Sequence, residues 1–95
     1  MVSDDVRDLV GRKRTIEILT LLVTSGGLRY SEVENKVDTS SDVVIDVLEL
    51  LCEHELVERI EENPKYVEYK ATETGREFVD AVKEIEAILN DEPDS

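Results

Sequence analysis

The chain has 95 residues, with 24 Asp or Glu against 11 Lys or Arg, which gives a formal net charge of −13 at pH 7. This length allows a single domain, 1–95, and no apolar run approaches the roughly 18 residues that a membrane span needs. The acidic start lacks the apolar stretch of a signal peptide, and one cysteine, Cys52, excludes an internal disulfide and suits a reducing compartment. We therefore expect a cytoplasmic protein.

The first predicted elements are a short segment, 4–10, with Ser3 as its N-cap, and a helix over 11–25 that ends in "SGG". Helical spacing of apolar residues predicts the buried face of this helix. Leu21 falls away from that face, so we expect it to be exposed or covered by another chain. The predicted buried residues are Ile16, Leu19, Leu22 and Val23.

Two further helices follow. Ser31 and Glu34 stand at capping-box spacing and predict a helix over 32–37. The turn that ends at Ser40 supplies an N-cap for a third helix over 41–54. Its apolar side consists of Val43, Val44, Val47, Leu48, Leu50 and Leu51, and its opposite side of Asp42, Asp46, Glu49 and Glu53.

The period then changes to that of strands, which predicts a hairpin over 56–71 with a turn at Asn63-Pro64. We expect Arg59 and Lys70 to be cross-strand partners of glutamates. Thr74 and Glu77 repeat capping-box spacing and open a last helix over 74–90. Its apolar row is Phe78, Val82, Ile85 and Leu89.

This order predicts an α+β, mostly α fold: a winged helix-turn-helix with three helices, a β-hairpin wing and a C-terminal helix. Such folds usually bind double-stranded DNA, with the third helix in the major groove.

Three segments resemble the HxlR-type winged-helix transcription regulators. "DLVGRKRTIEILTLL" is similar to the opening of that family, "LRYSEVENKV" to its second helix, and "ELVERIEENPKYVEYKATETGREF" to its wing and the entry to its final helix. The broader PadR and MarR groups share the outline. The resemblance implies a transcription regulator that projects residues near the start of its third helix into the major groove of DNA.

This chain departs from the family pattern at three points. It has no cysteine ahead of the first helix, and Arg14 stands where an aromatic residue is common. The third helix carries acids where family members usually offer Gln, Lys or Arg. These acidic residues either contact the bases of DNA or form a solvated face near the helix N-terminus, where negative charge is favoured.

The candidate contacts with DNA fall into two groups. Side chains near the start of the third helix are candidates for base edges, because serine bonds several edges, aspartate accepts from cytosine and an aliphatic side chain touches a thymine methyl group. Basic side chains elsewhere are candidates for phosphates. The base-edge candidates are Ser40, Ser41, Asp42, Ile45 and Asp46, and the phosphate candidates are Arg29, Lys36, Lys65, Arg12, Lys13 and Arg14.

The last helix is the candidate dimer interface, because its apolar row suits pairing with another helix. The same row is also able to pack inside the monomer. The candidate interface residues are Leu21, Phe78, Val82, Ile85 and Leu89.

The acidic residues are spread along the chain from Asp4 to Asp94. One explanation is a cytoplasm with molar salt, where carboxylates keep a surface hydrated, and the other is a basic partner or mimicry of nucleic acid. Even spacing, few lysines and few aromatics favour a salt-rich, halophilic cytoplasm. At ~1 M ionic strength the Debye length is roughly 3 Å, so net charge no longer predicts which partners are repelled.

Other classes of function have weaker signals. No acidic residue stands beside a His, Lys or Ser in an arrangement that would form a catalytic base or nucleophile, so we do not expect an enzyme. We also expect no cofactor and no metal, because the single His and the single Cys do not have the spacing of metal ligands. Cys52 is either a redox sensor or a plain half-buried residue. We therefore expect a dimeric DNA-binding regulator with an unknown effector. The alternative is a winged-helix interaction module that has lost DNA binding and uses its acidic helix on a basic partner.

Overall fold

The computed structural model describes Asp4, Arg7, Leu9 and residues 11–90. Within 11–90 there are four helices and one three-stranded antiparallel sheet, so the expected α+β, mostly helical class is confirmed. In chain order the elements are α1 (Lys13–Ser25), β1 (Leu28–Arg29), α2 (Tyr30–Lys36), α3 (Ser41–Glu53), β2 (Val57–Asn63), β3 (Tyr66–Ala71) and α4 (Glu73–Asn90).

The chain before α1 is described in part. Asp4, Arg7 and Leu9 are helical, and Leu9 is buried in the core. The N-cap predicted at Ser3 lies outside the described residues.

The buried face of α1 differs from the prediction. It consists of Thr15, Ile18, Leu19 and Leu22, whereas Ile16 and Val23 are only half-buried. The reason is that α1 packs against α3, α4 and β3 together, so its covered face is wider than one row and is centred nearer Ile18. Leu21 packs against this core within its own chain. Leu21 is half-buried, so its own chain covers it in part, which the sequence does not predict.

Helix α2 begins two residues earlier than predicted, at Tyr30. The carboxylate of Glu32 accepts the backbone N–H of Arg29 at 2.9 Å, which satisfies one of the free donors at the helix start. Ser31 lies inside the helix and is not its cap. The capping box predicted from Ser31 and Glu34 is therefore wrong.

Helix α4 begins one residue earlier than predicted, at Glu73. Its cap is Thr72, whose hydroxyl accepts the N–H of Gly75 at 3.0 Å and donates to the carbonyl of Glu55 at 2.8 Å. Thr74, the predicted cap, lies inside the helix. The double role of Thr72 ties the start of α4 to the chain just after α3.

The sheet has the order β1-β3-β2. Within the hairpin predicted over 56–71, β3 begins at Tyr66 as expected, and β2 runs on to Asn63, so the turn between them is only Pro64 and Lys65. Lys70 faces Glu58 across the hairpin, as expected, but Arg59 faces Tyr69 and pairs with Glu61 of its own strand at 3.1 Å. The two-residue strand β1 was missed; Leu28 pairs with Tyr69.

Candidate nucleic-acid interface

Helix α3 has one buried and one exposed side. Val44, Val47, Leu48 and Leu51 are buried. The acids Asp42, Asp46, Glu49 and Glu53 are exposed, as the sequence predicts. We call Ser41, Asp42, Ile45 and Asp46 the outer face of α3; all four are exposed, Ile45 by 43%. No basic side chain lies on this helix, so it has hydrogen-bond and apolar contacts to offer but no positive charge.

Two serines at the start of α3 have partners within the chain. The hydroxyl oxygen of Ser40 accepts the backbone N–H of Val43 at 3.4 Å, which makes Ser40 the N-cap that the sequence predicts. The hydroxyl of Ser41 donates to a carboxylate oxygen of Glu34 in α2. Tyr30 donates to the same oxygen at 3.4 Å. Sequence reasoning missed Glu34 here, because its spacing from Ser31 suggested a cap.

Two of the predicted phosphate contacts lie side by side. Arg29 and Lys65 line one hollow of about 170 Å³ between the start of α2 and the wing tip, together with Ser31 and Pro64. The guanidinium carbon of Arg29 lies 5.2 Å from the centre of the Tyr66 ring, a cation–π distance that orders this long side chain. Sequence reasoning missed Tyr66 and Ser31, whose contribution depends on the fold.

The basic triplet lies against α3. Arg12, Lys13 and Arg14 line a hollow of about 270 Å³ together with Val43, Asp46 and Val47. Arg14 pairs with Glu17 at 2.6 Å, so its charge is partly compensated. Lys36 is exposed in the last turn of α2. It lines neither of these two hollows.

An apolar groove lies between the start of α1 and the second half of α4. Its volume is about 460 Å³, and its walls are Ile16, Val82, Ile85 and Leu89, with Lys13, Glu17 and Glu86 at the edges. The apolar row predicted on α4 is divided: Phe78 packs partly against the core, whereas Ile85 and Leu89 are 50% and 73% exposed. Ile88 is also exposed, by 74%. The sequence does not predict its place on this surface, because it lies outside the spacing of four, three and four residues that relates Phe78, Val82, Ile85 and Leu89.

Cys52 is half-buried in α3. Burial raises the pKa of its thiol, Arg59 lowers that pKa, and Glu49 raises it. This direction favours the plain half-buried interpretation over a redox sensor, since the thiolate is the reactive form. Among the described residues no group of three or more His, Cys, Asp or Glu is placed to hold a metal ion. No helix of the described chain is long and apolar enough to cross a membrane.

Comparison with known proteins gives one family and one fold. The model of the HxlR-like helix-turn-helix family matches residues 9–93. Among solved structures, the reduced form of the transcriptional regulator YodB from B. subtilis is 25% identical, with a TM-score of 0.76 over 92% of this chain and 90% of that chain. No protein among those with curated functions matches the sequence.

Two more distant structures have the same fold. A MarR family protein from Bacillus stearothermophilus is 21% identical, with a TM-score of 0.68 over 82% of this chain and 58% of that chain. A mutant of MarR from E. coli in complex with operator DNA is 15% identical, with a TM-score of 0.67 over 81% of this chain and 59% of that chain.

Proposed function

Because this chain belongs to the HxlR-like helix-turn-helix family, whose model matches residues 9–93, we propose that it is a DNA-binding transcriptional regulator. The family match is the observation that carries this proposal. The similarity to YodB, a transcriptional regulator, supports it. In the expected setting, a salt-rich cytoplasm, the protein acts without catalysis, metal or cofactor.

The finer part of the proposal concerns the contacts. The outer face of α3 enters the major groove, and Arg29 and Lys65 hold a phosphate at the wing. Their shared hollow supports this, since two cations near one point neutralise a phosphate and release its counterions. Lys36, Arg12 and Lys13 are additional phosphate contacts in this proposal.

The negative charge of the protein sets the conditions of binding. With a net charge of −13, long-range repulsion opposes approach to DNA at low ionic strength. At ~1 M salt that repulsion is confined to roughly 3 Å, and contacts at hydrogen-bond range dominate. We therefore expect an affinity for DNA that changes little, or rises, as KCl increases, in contrast to the steep loss typical of basic DNA binders.

The proposal is tested by fluorescence anisotropy of labelled random-sequence duplex, from roughly 0.1 M to about 3 M KCl. Arg29→Glu and Lys65→Glu are each expected to weaken binding by about tenfold or more, since each replaces an attractive phosphate contact by a repulsive one. Lys83→Glu is the matched control, because it makes the same charge change on an exposed residue of α4. Equal losses in all three variants would assign the effect to net charge and contradict the proposed phosphate site.

We also propose that two copies associate through α4. The exposed Ile85, Ile88 and Leu89 and the neighbouring groove support this, because a second copy of the same apolar face removes them from water. Leu21, Phe78 and Val82 are the remaining members of the proposed interface. Such a dimer presents two α3 helices to successive major grooves, about 34–36 Å apart.

One observation favours a second function. The exposed side of α3 carries four acidic side chains and no basic side chain, which suits a basic protein partner. In that case the wild type fails to bind duplex at every KCl concentration, and Asp42→Lys and Asp46→Lys gain affinity for it. Binding by the wild type, with losses in the Arg29 and Lys65 variants, supports DNA binding instead.

A further inference from the structure

We propose that Glu34 fixes the direction of the Ser41 hydroxyl, so that Ser41 selects a base whose amino group faces the major groove, adenine or cytosine. This inference rests on the proposed function, since it concerns the same outer face of α3. It assigns Glu34 as a positioning residue and Ser41 as the residue that contacts the base.

A hydrogen bond joins the side chains of Ser41 and Glu34. The hydroxyl of Ser41 donates to Oε2 of Glu34. A serine hydroxyl has one hydrogen, and an ionised carboxylate has none. The bond therefore uses the only donor of Ser41, and what Ser41 has left for another molecule is the capacity to accept.

The carboxylate of Glu34 has a second donor. Oε2 of Glu34 also receives the hydroxyl of Tyr30, at 3.4 Å, and both residues belong to α2 and are half-buried. Ser41, in contrast, is exposed at the start of α3. The acceptor thus belongs to α2 and has two donors, while Ser41, whose hydroxyl it receives, is an exposed residue of α3.

The neighbouring acidic side chains of α3 share this restriction. Asp42 and Asp46 are exposed carboxylates and also only accept hydrogen bonds. In the major groove, adenine N6 and cytosine N4 donate, whereas guanine presents only acceptors at N7 and O6 and thymine presents O4. A freely rotating serine hydroxyl would bond either kind of edge. With its hydrogen engaged by Glu34, Ser41 favours adenine or cytosine.

The test begins with selection of duplexes from a random pool in KCl at about 1 M, using the wild type and Ser41→Ala. The position at which Ser41→Ala loses its preference is the base pair that Ser41 contacts. At that position the wild type is expected to prefer adenine or cytosine over the other bases by about five- to tenfold, the low end of the usual cost of one mismatched base pair. Glu34→Ala frees the hydroxyl and is expected to reduce this preference to about twofold or less. Asp38→Ala, which removes one charge from the turn before α3, is the control and keeps it.

A second measurement does not depend on the Glu34 variant folding. In the selected duplex, the adenine is replaced by purine, or the cytosine by 2-pyrimidinone, so that only the amino group is lost. The wild type is expected to bind this duplex about five- to tenfold more weakly, while Ser41→Ala binds both duplexes equally.

The outcomes separate the two proposals. If no duplex is enriched at any salt concentration, the proposed function fails, and this inference fails with it. If duplexes are enriched but Ser41→Ala changes no position, or guanine or thymine is preferred there, only this inference is overturned. An unchanged preference in a folded Glu34→Ala variant likewise removes Glu34 from the mechanism.

Discussion

At the scale of single residues, Gly75 sets how closely α4 approaches the chain after α3. A Cβ atom built at Gly75 would lie 2.1 Å from the carbonyl oxygen of Leu56. That carbonyl accepts the backbone N–H of Thr72 at 3.0 Å, so it cannot move away without breaking the connection. The Thr-x-x-Gly step in the sequence therefore has a physical reason: the cap and the close contact both require it.

The first prediction is that Gly75→Ala destabilises the protein by about 2 kcal/mol or more, because backbone has to shift to make room for the methyl group. In an unconstrained helix the same change stabilises by about 1 kcal/mol. The free energy of unfolding in urea measures the effect. Ala81→Gly, at an exposed position of the same helix, gives the size of the propensity effect alone. A stabilised Gly75→Ala variant would contradict the predicted clash.

The second prediction concerns Cys52. Because burial raises the pKa of its thiol above the ordinary value, the thiolate fraction at pH 8 is smaller than that of an unstructured cysteine, and alkylation by iodoacetamide is slower. Arg59 lowers this pKa, so Arg59→Ala is expected to slow alkylation further. The rate as a function of pH measures both.

The raised pKa of Cys52 also makes the stability of the folded protein depend on pH. The folded state holds the Cys52 proton more tightly than the unfolded chain does. The resulting contribution to the free energy of unfolding is fully present below the pKa of Cys52 in the unfolded chain, and it is lost as pH rises through the pKa in the folded state. Alkylation as fast as that of a model peptide, after correction for unfolding, would contradict the assignment.

The caps illustrate what local sequence is able to predict. Ser40 was predicted correctly because the turn that it ends directly precedes a long apolar period. At the start of α4 the capping-box spacing favours Thr74, which has Glu77 three positions later, whereas Thr72 has Gly75 there. Thr72 is nevertheless the cap, and its hydroxyl also donates to the carbonyl of Glu55, 17 positions earlier in the chain. Sequence patterns contain no information about that carbonyl. The sequence therefore places the cap two residues too late, at Thr74 instead of Thr72.

At the scale of elements, the periodic spacing of apolar residues predicts α1, α2, α3 and the hairpin of β2 and β3. It does not predict β1. Its two residues form a strand only because β3, some 40 positions later, supplies the pairing partner. The candidate site has the same limitation. Arg29 and Lys65 were predicted separately as cations, but their common hollow exists only because β1 places the start of α2 beside the hairpin tip.

The third prediction is that Ile85→Glu and Leu89→Glu convert a dimer into a monomer. Both side chains line the apolar groove and are at least half exposed in the monomer, so a charge there costs little before association and disfavours burial afterwards. Sedimentation equilibrium in KCl measures the mass. Ala87→Glu, exposed on the same helix but outside the groove, is the control. A wild type that is monomeric at all accessible concentrations would overturn the proposed interface.

At the scale of the whole molecule, 24 acidic side chains against 11 basic ones repel one another in the compact state. Only two ion pairs, Arg14 with Glu17 and Arg59 with Glu61, lie within 4 Å among the described residues. Most of the acids therefore depend on the solvent for compensation.

The fourth prediction is that the midpoint of thermal unfolding rises with KCl between roughly 0.1 M and about 2 M, because screening weakens this repulsion. Circular dichroism at 222 nm measures the helix content. A variant with Asp42, Glu49 and Glu53 changed to the corresponding amides is expected to show a smaller rise. A midpoint independent of KCl would remove repulsion as a determinant of stability.

The pairing of β1 with β3 joins the wing to the helix-turn-helix within one copy, because Arg29 both ends β1 and precedes α2. In the proposed complex with DNA, the outer face of α3 and the pair of Arg29 and Lys65 are thus fixed relative to each other within each half of an operator. In a dimer formed through α4, an effector that shifts one copy against the other changes the separation of the two half-sites and leaves each half-site's contacts intact. Regulation of such a protein would then appear as altered tolerance for operator spacing, not as altered sequence preference.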